Sequence, residues 1–169
     1  ITLVCPAHKD RNTENPAPRE LAIHEVRGLP LPGYPGLQFG LPAQGLFNQL
    51  MVDGAVDVAY IATEGPLGRS ARRACDRHGV PALSGLHTNF HQYSGHYGAG
   101  VLAPLLLRYL RSFHNRLAGT LVPTQTMARE LGAIGFERLH VWPRGVHADQ
   151  FSPAHRDPEL RRSWGLGDH

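Results

Sequence analysis

Three consecutive polar residues, His87, Thr88 and Asn89, follow a short apolar segment and have side chains that could do chemistry. The preceding segment, Val80–Leu86, reads VPALSGL and is typical of a buried strand, and the polar character begins abruptly at His87. In an open parallel sheet, ligands bind at the carboxyl ends of the strands, where side chains are free of the core. A histidine at that place can exchange a proton near neutral pH. The sequence therefore predicts that His87 faces a ligand cleft.

A metal site is the alternative interpretation of this region. His87 and His91 are spaced four residues apart, and His96 follows, so the three histidines could serve a metal-dependent hydrolase. No HExxH pattern and no neighbouring carboxylate accompanies them. We therefore predict no metal site, and the hydrolase stays an alternative that metal analysis of the purified protein would settle.

A second candidate is the turn Thr63–Gly68, which reads TEGPLG. Backbone N–H groups at the start of a helix can hold an anion. The plainer interpretation is a helix start with Pro66 in the first turn, where proline is favoured.

Strand-like and helix-like segments alternate along the chain and must position these residues. We predict strands at the following segments: Ile1–Ala7, Leu21–Leu29, Val56–Ala62, Val80–Leu86, Gly119–Pro123 and Leu139–Pro143. We predict helices at these: Ala43–Val52, Leu67–His78, Val101–Leu117, Thr124–Ile134 and a start at Asp157–Trp164. Residues 8–20, 30–42 and 144–153 are predicted to be irregular. This alternation predicts an α/β protein, a Rossmann-like parallel sheet with helices on both faces.

Local signals add detail to two of the helices. The helix ending at His78 should carry its arginines on the outer face and stop at Gly79 in a left-handed cap; those arginines are Arg69, Arg72, Arg73 and Arg77. Thr124 or Thr126 should cap the helix that follows Pro123.

Composition and the absence of known motifs argue against several classes of protein. The 169 residues suit one domain, and a net charge of +3 does not require nucleic acid as a partner. The two cysteines have no CxxC or zinc spacing, so no disulfide and a cytoplasmic location are expected. No GxGxxG, GxSxG or Walker sequence is present, which argues against a dehydrogenase, an α/β-hydrolase and an NTPase. The longest apolar run, Val101–Leu107, is far shorter than the ~18 residues of a membrane span.

Four segments in order resemble the N-terminal domain of family 4 glycosyltransferases, which have the GT-B fold. They are VDVAYIATEGPLGRSARRA, GVPALSGLHTNF, YLRSFHNRLAGTLVPTQTMARELGAIGF and RGVHADQFSP. The chain is most similar to the bacterial GDP-mannose-dependent α-mannosyltransferase-like members. The opening ITLVCPA resembles the family's second strand.

The resemblance implies one half of a two-domain enzyme. Residues 1–153 would be the N-terminal Rossmann-like domain without its first strand, and 154–169 would begin the linker or second domain. The domain that binds the nucleotide sugar would be absent, so this chain alone should be inactive. Arg144 and Gly145 match the crossing between domains, although the family often has Asn in place of Arg144 and usually Asp in place of His147.

The resemblance also implies the activity. A retaining transferase would move a hexose, mannose being the first candidate, from a nucleotide diphosphate sugar such as GDP-mannose to a lipid or glycan acceptor, without a tightly bound cofactor. His87 matches the family's histidine near the transferred sugar, and four residues would shape the acceptor side: Gly65, Pro66, Thr88 and Asn89. A lipid acceptor would bring peripheral contact with the inner face of the membrane. The alternative from another class is a non-catalytic Rossmann-like ligand-binding module.

Overall fold

The computed structural model describes residues 1–7, 21–31, 33–34, 36–54, 56–87 and 103–166. The strands are β1 (Thr2–Pro6), β2 (Ala22–Val26), β3 (Gly28–Pro30), β4 (Gln38–Gly40), β5 (Ala59–Ile61), β6 (Ala82–Gly85), β7 (Gly119–Val122) and β8 (Leu139–Val141). The helices are α1 (Gln44–Val52), α2 (Pro66–His78), α3 (Ala103–His114), α4 (Gln125–Ala133) and α5 (Pro158–Ser163), with a 3₁₀ turn at Pro153–His155.

The central sheet is parallel and has the order β5-β6-β7-β8. Ala59 lies opposite Ala82, and Leu83 lies opposite Gly119. Because consecutive strands are neighbours and helices connect them, the sheet is a series of βαβ units. The predicted α/β class, with a parallel sheet flanked by helices, is confirmed.

Two further strand pairs precede the central sheet. β1 and β2 are parallel, whereas β3 and β4 are antiparallel. The prediction of one strand over Leu21–Leu29 is wrong, because Arg27 separates β2 from β3 and the two pair with different partners. The prediction that 30–42 is irregular is also wrong in part, since it contains β4. Prolines and glycines marked the turn between β3 and β4 correctly, but a three-residue strand is too short to give an apolar pattern of its own and forms by pairing with its neighbour.

The helices bury two apolar clusters against the sheet. The first joins α1, β5 and α2 to the end of α3 through residues such as Phe47, Ile61 and Ala74. The second joins α3 to β7 and α4, with Leu110 and Val122 at its centre. Both clusters lie on the side of the sheet that carries α2 and α3, so this side is the core of the domain.

Alternation along β6 decides which side chains reach that core. Ser84 bonds to His114 of α3, and Leu86 packs in the cluster with Leu110. Successive side chains of a strand point to opposite faces of the sheet. Gly85 and His87 therefore lie on the face away from α2 and α3.

The helix ends follow local sequence signals. Thr124 caps α4, and its hydroxyl oxygen accepts from the Met127 N–H at 3.1 Å. Gly79 ends α2 in the left-handed region at φ 69°, as predicted. Arg72, however, is buried and forms an ion pair with Asp76 beneath the Phe113 ring. Its predicted place on the outer face of α2 is wrong, because α3 packs over that part of the helix.

Gly68 allows α2 to start close to the end of β5. A Cβ at this position would overlap the Thr63 carbonyl oxygen and meet Ile61 Cγ2 at 3.0 Å. Gly68→Ala should therefore lower the free energy of unfolding by about 1–3 kcal/mol. Gly45 in α1 has open space around the same position, and Gly45→Ala should stabilise the protein by up to about 1 kcal/mol. Urea denaturation of both variants checks the pair, and equal effects would contradict this account.

The two cysteines differ in exposure. Cys75 is 1% exposed, whereas Cys5 is half-buried, and neither forms a disulfide. Burial raises the pKa of the Cys75 thiol, and the neighbouring Asp76 carboxylate acts in the same direction. Since the thiolate is the reactive form, a thiol reagent at pH 8 should modify Cys5 first and Cys75 only on unfolding. Peptide mapping of the labelled protein measures the order, and rapid labelling of Cys75 in the native state would refute it.

Candidate functional site

His87 lies just beyond the carboxyl end of β6 and is exposed. The Tyr60 hydroxyl is 3.1 Å from its Nε2 atom. Tyr60 belongs to the neighbouring strand β5 and points to the same face of the sheet. The hydrogen bond therefore fixes the orientation of the imidazole at an open strand end.

An aromatic contact extends this arrangement to the end of β8. The Trp142 and Tyr60 rings meet edge to face, with centroids 5.8 Å apart and an interplanar angle of 90°. The Trp142 N–H donates to the Val122 carbonyl oxygen at 2.8 Å, which anchors the tryptophan to β7. Both aromatic side chains are about half exposed. The geometry is favourable for an aromatic pair, and Tyr60 therefore contacts both His87 and Trp142.

Gly65 and Pro66 lie elsewhere, in a cleft of about 650 Å³ between the start of α2, the exposed side of α3 and β4. Its apolar wall includes Phe39, Pro42, Leu106 and Leu110. Its polar groups belong to Glu64, Arg69, Ser70, Arg73 and Tyr109. The volume lies within the range of small-molecule sites, about 300–1,000 Å³.

Glu64 is the carboxylate of this cleft, and α3 holds it. His114 Nε2 lies 3.1 Å from Glu64 Oε1, and the Tyr109 hydroxyl donates to the Glu64 carbonyl oxygen. On its other side, His114 Nδ1 lies 2.7 Å from Ser84 Oγ. A buried polar series thus leads from the centre of β6 to the cleft.

The predicted site residues therefore divide between two sides of the sheet. Gly65 and Pro66 line the cleft, whereas His87 does not line it and lies on the opposite face with Tyr60. Arg144 and Gly145 lie in the exposed irregular segment after β8. Thr88 and Asn89, together with His91 and His96, lie outside the described residues.

Sequence reasoning missed Tyr60, Trp142, Glu64 and His114 as site residues. Glu64 lies inside the TEGPLG segment, where a lone carboxylate among glycines and a proline was a usable signal. Trp142 directly follows a strand, and this strand-end position was a second usable signal. His114 gave no local signal, because it is the last residue of an amphipathic helix and nothing in the neighbouring sequence marks it as a partner of Glu64.

The described part of the chain has neither a metal-binding cluster nor a membrane-spanning helix. Within it, no group of three or more histidine, cysteine or acidic side chains could hold a metal ion. Nor does any helix in that part have the length and apolar character needed to cross a membrane.

Comparison with known proteins assigns the family. The model for Glycosyltransferase Family 4 matches residues 1–150. The chain belongs to glycosyltransferase family 4. The GT-B fold of this family is built from Rossmann-like domains, in agreement with the parallel sheet, and the family predicted from the sequence is confirmed.

Three relatives of this family 4 chain show the range of similarity. The "GDP-mannose-dependent alpha-mannosyltransferase" of Mycolicibacterium smegmatis is 30% identical over 142 residues, which are 84% of this chain and 38% of the relative. The protein of the same name from Mycobacterium tuberculosis is also 30% identical, and 37% of it is covered. "Sulfoquinovosyl transferase SQD2" of Arabidopsis thaliana is 24% identical over 80% of this chain and 27% of its own length. The chain thus spans less than two fifths of these relatives, and no solved structure matches it.

Gly85 allows Tyr60 and His87 to meet in this family 4 domain. A Cβ on Gly85 would overlap the Tyr60 hydroxyl and lie 2.7 Å from His87 Nε2. Gly85→Ala should therefore break the Tyr60–His87 hydrogen bond by displacing both side chains. The imidazole resonances of His87, observed by ¹⁵N NMR, should shift in this variant and in Tyr60→Phe, which removes the hydroxyl alone. Unchanged His87 resonances in both variants would contradict the contact, and Tyr34→Phe is the matched control.

Proposed function

We propose that this chain is the acceptor-side domain of a retaining glycosyltransferase. The enzyme would transfer a hexose, mannose being the first candidate, from a nucleotide diphosphate sugar to a lipid or glycan acceptor. The observation that carries the proposal is the family 4 match over residues 1–150, together with 30% identity to relatives named GDP-mannose-dependent α-mannosyltransferases. Those names favour GDP-mannose as the donor. Because the relatives are much longer, the proposal places donor binding in a second domain.

His87 is the proposed residue at the transferred sugar. Its support is the strand-end position, its exposure and the Tyr60 hydroxyl that fixes one ring nitrogen. With Nε2 engaged by Tyr60, the Nδ1 atom is available for a hydroxyl group of the sugar or acceptor. Transfer with retention breaks the anomeric C–O bond, and the nucleoside diphosphate leaves with the electron pair. A new C–O bond forms to the acceptor oxygen, and the proton of that hydroxyl passes to the departing diphosphate oxygen. A residue that hydrogen-bonds the reacting groups contributes by holding them in the reactive geometry.

We propose that Gly65 and Pro66 shape the acceptor side, as do Thr88 and Asn89, which lie outside the described residues. Support for Gly65 and Pro66 comes from the cleft that they line. Arg144 and Gly145 follow Trp142 closely and are proposed to carry the chain into the second domain. Trp142 contacts Tyr60, and Tyr60 bonds to His87. A movement of the crossing segment would therefore shift the His87 side chain.

Peripheral membrane contact belongs to the same proposal if the acceptor is a lipid. Its support is the surface of α3, where Leu105 and Leu106 are 63% and 44% exposed and Arg108 is nearby. Apolar side chains beside a cation suit an anionic membrane surface.

Replacement of His87 tests the proposed role. In the full-length enzyme, His87→Ala should lower kcat/KM by about 10²-fold, the usual effect of removing one hydrogen bond that stabilises the transition state. His78→Ala, at the exposed end of α2, is the matched histidine control and should leave the rate unchanged. Transfer is measured with a panel of nucleotide sugars that includes GDP-mannose. An unaltered kcat/KM in His87→Ala would exclude the role, and absence of transfer by the wild type would favour the ligand-binding module.

A further inference from the structure

Glu64 is held at two points, one on its side chain and one on its backbone. Its side chain is 16% exposed and accepts a hydrogen bond from His114 Nε2 at 3.1 Å. Its backbone carbonyl oxygen accepts a second one from the Tyr109 hydroxyl. Both partners belong to α3, so this helix determines where the carboxylate lies in the cleft.

The imidazole that holds Glu64 is itself held inside the core. His114 is 1% exposed, and Ser84 and Thr120 have no exposed surface. His114 Nδ1 lies 2.7 Å from Ser84 Oγ and 3.4 Å from Thr120 Oγ1. When the Ser84 hydroxyl donates to Nδ1, the ring proton is placed on Nε2, where it can be donated to Glu64.

This polar series ends at the cleft and not inside the core. Buried hydroxyl and imidazole groups cost stability unless each finds a partner. Here the partners are one another, and the last of them is Glu64, which lines the cleft. Serine, histidine and a carboxylate also form hydrolase triads, but Ser84 is wholly buried, so no substrate can reach its hydroxyl. The hydrogen-bonded series therefore orients the Glu64 carboxylate.

We propose that Glu64 binds a hydroxyl group of the acceptor and that His114, oriented by Ser84, is its positioning residue. The inference rests on the proposed function and deepens it, since it gives the cleft a ligand of stated chemistry: a polyhydroxylated group, either a sugar or a polyol. Oε1 of Glu64 is engaged by His114, which leaves Oε2 to accept a hydrogen bond from the ligand.

The remaining lining of the cleft suits the same ligand. The Phe39 ring and Leu106 offer apolar surface for the C–H groups of a sugar ring. Arg69 and Arg73, one turn apart on α2, offer donors to its oxygen atoms. A mainly apolar cleft with a few convergent polar groups is the usual form of a small-molecule site.

Binding of neutral hydroxylated probes tests the ligand class separately from transfer. Methyl α-mannoside, methyl α-glucoside and myo-inositol are titrated into the full-length protein by NMR. At least one should bind the wild type, and Glu64→Gln should raise its Kd at least tenfold because the amide turns a donor toward the cleft. Glu137→Gln, at an exposed carboxylate paired with Arg138, should bind as the wild type does. The proposal is overturned if no probe binds, or if Glu64→Gln binds equally well.

The positioning role needs a measurement that a purely structural role would not change. In ¹⁵N-histidine spectra, the wild type should show His114 with its proton on Nε2, and Ser84→Ala should alter that signature. Ser84→Ala should also weaken probe binding several-fold but have no further effect in the Glu64→Gln background. A Ser84→Ala protein that loses thermal stability yet keeps the wild-type Kd would show that the series only stabilises the core.

These outcomes separate the inference from the proposed function. Probe binding that depends on Glu64, in a protein that transfers no sugar from any nucleotide sugar, would support the hydroxyl site and refute the glycosyltransferase. Sugar transfer together with probe binding that is unchanged in Glu64→Gln would support the glycosyltransferase and refute the hydroxyl site.

Discussion

The hydrogen bonds of the buried His114 imidazole are the constraint on which the domain depends. They connect the middle of β6 and the start of β7 to the turn that leaves β5, through Ser84, Thr120 and Glu64. Apolar clusters lie on both sides of this connection. Apolar packing alone is tolerant of small shifts, whereas a satisfied polar series inside a core has one arrangement. His114 therefore fixes the end of α3 against the sheet, while Leu110 and Phe113 pack the rest of the helix in the two clusters.

The two sides of the sheet carry different groups of residues. On the helix side, α2 and α3 form a cleft that is held by polar contacts at its base. On the other side, His87, Tyr60 and Trp142 form an exposed group at the strand ends. Alternation along β6 connects them, because Ser84 and Leu86 face the helices while Gly85 and His87 face away.

Much of the fold could be predicted from local patterns. The helix ends at Gly79 and Thr124, and the parallel strands from β5 onward, follow from capping residues and apolar segments that act over a few positions. The errors occur where contacts with another element of the structure determine the result. β3 and β4 are too short to be seen without their pairing, and Arg72 is buried only because α3 packs over it. Gly65, Pro66 and His87 were predicted as site residues from their strand-end position, which is also a local property.

The sequence by itself determined the family, the α/β class and the residues at the strand ends, because each is written in contiguous motifs. Only the tertiary structure decided that His87 and the Gly65–Pro66 cleft lie on opposite sides of the sheet. It alone also joined Glu64 to His114, 50 residues apart in the chain. The physical reason is that a hydrogen bond depends on distance and direction in space, and neither is fixed until the helices have packed on the sheet.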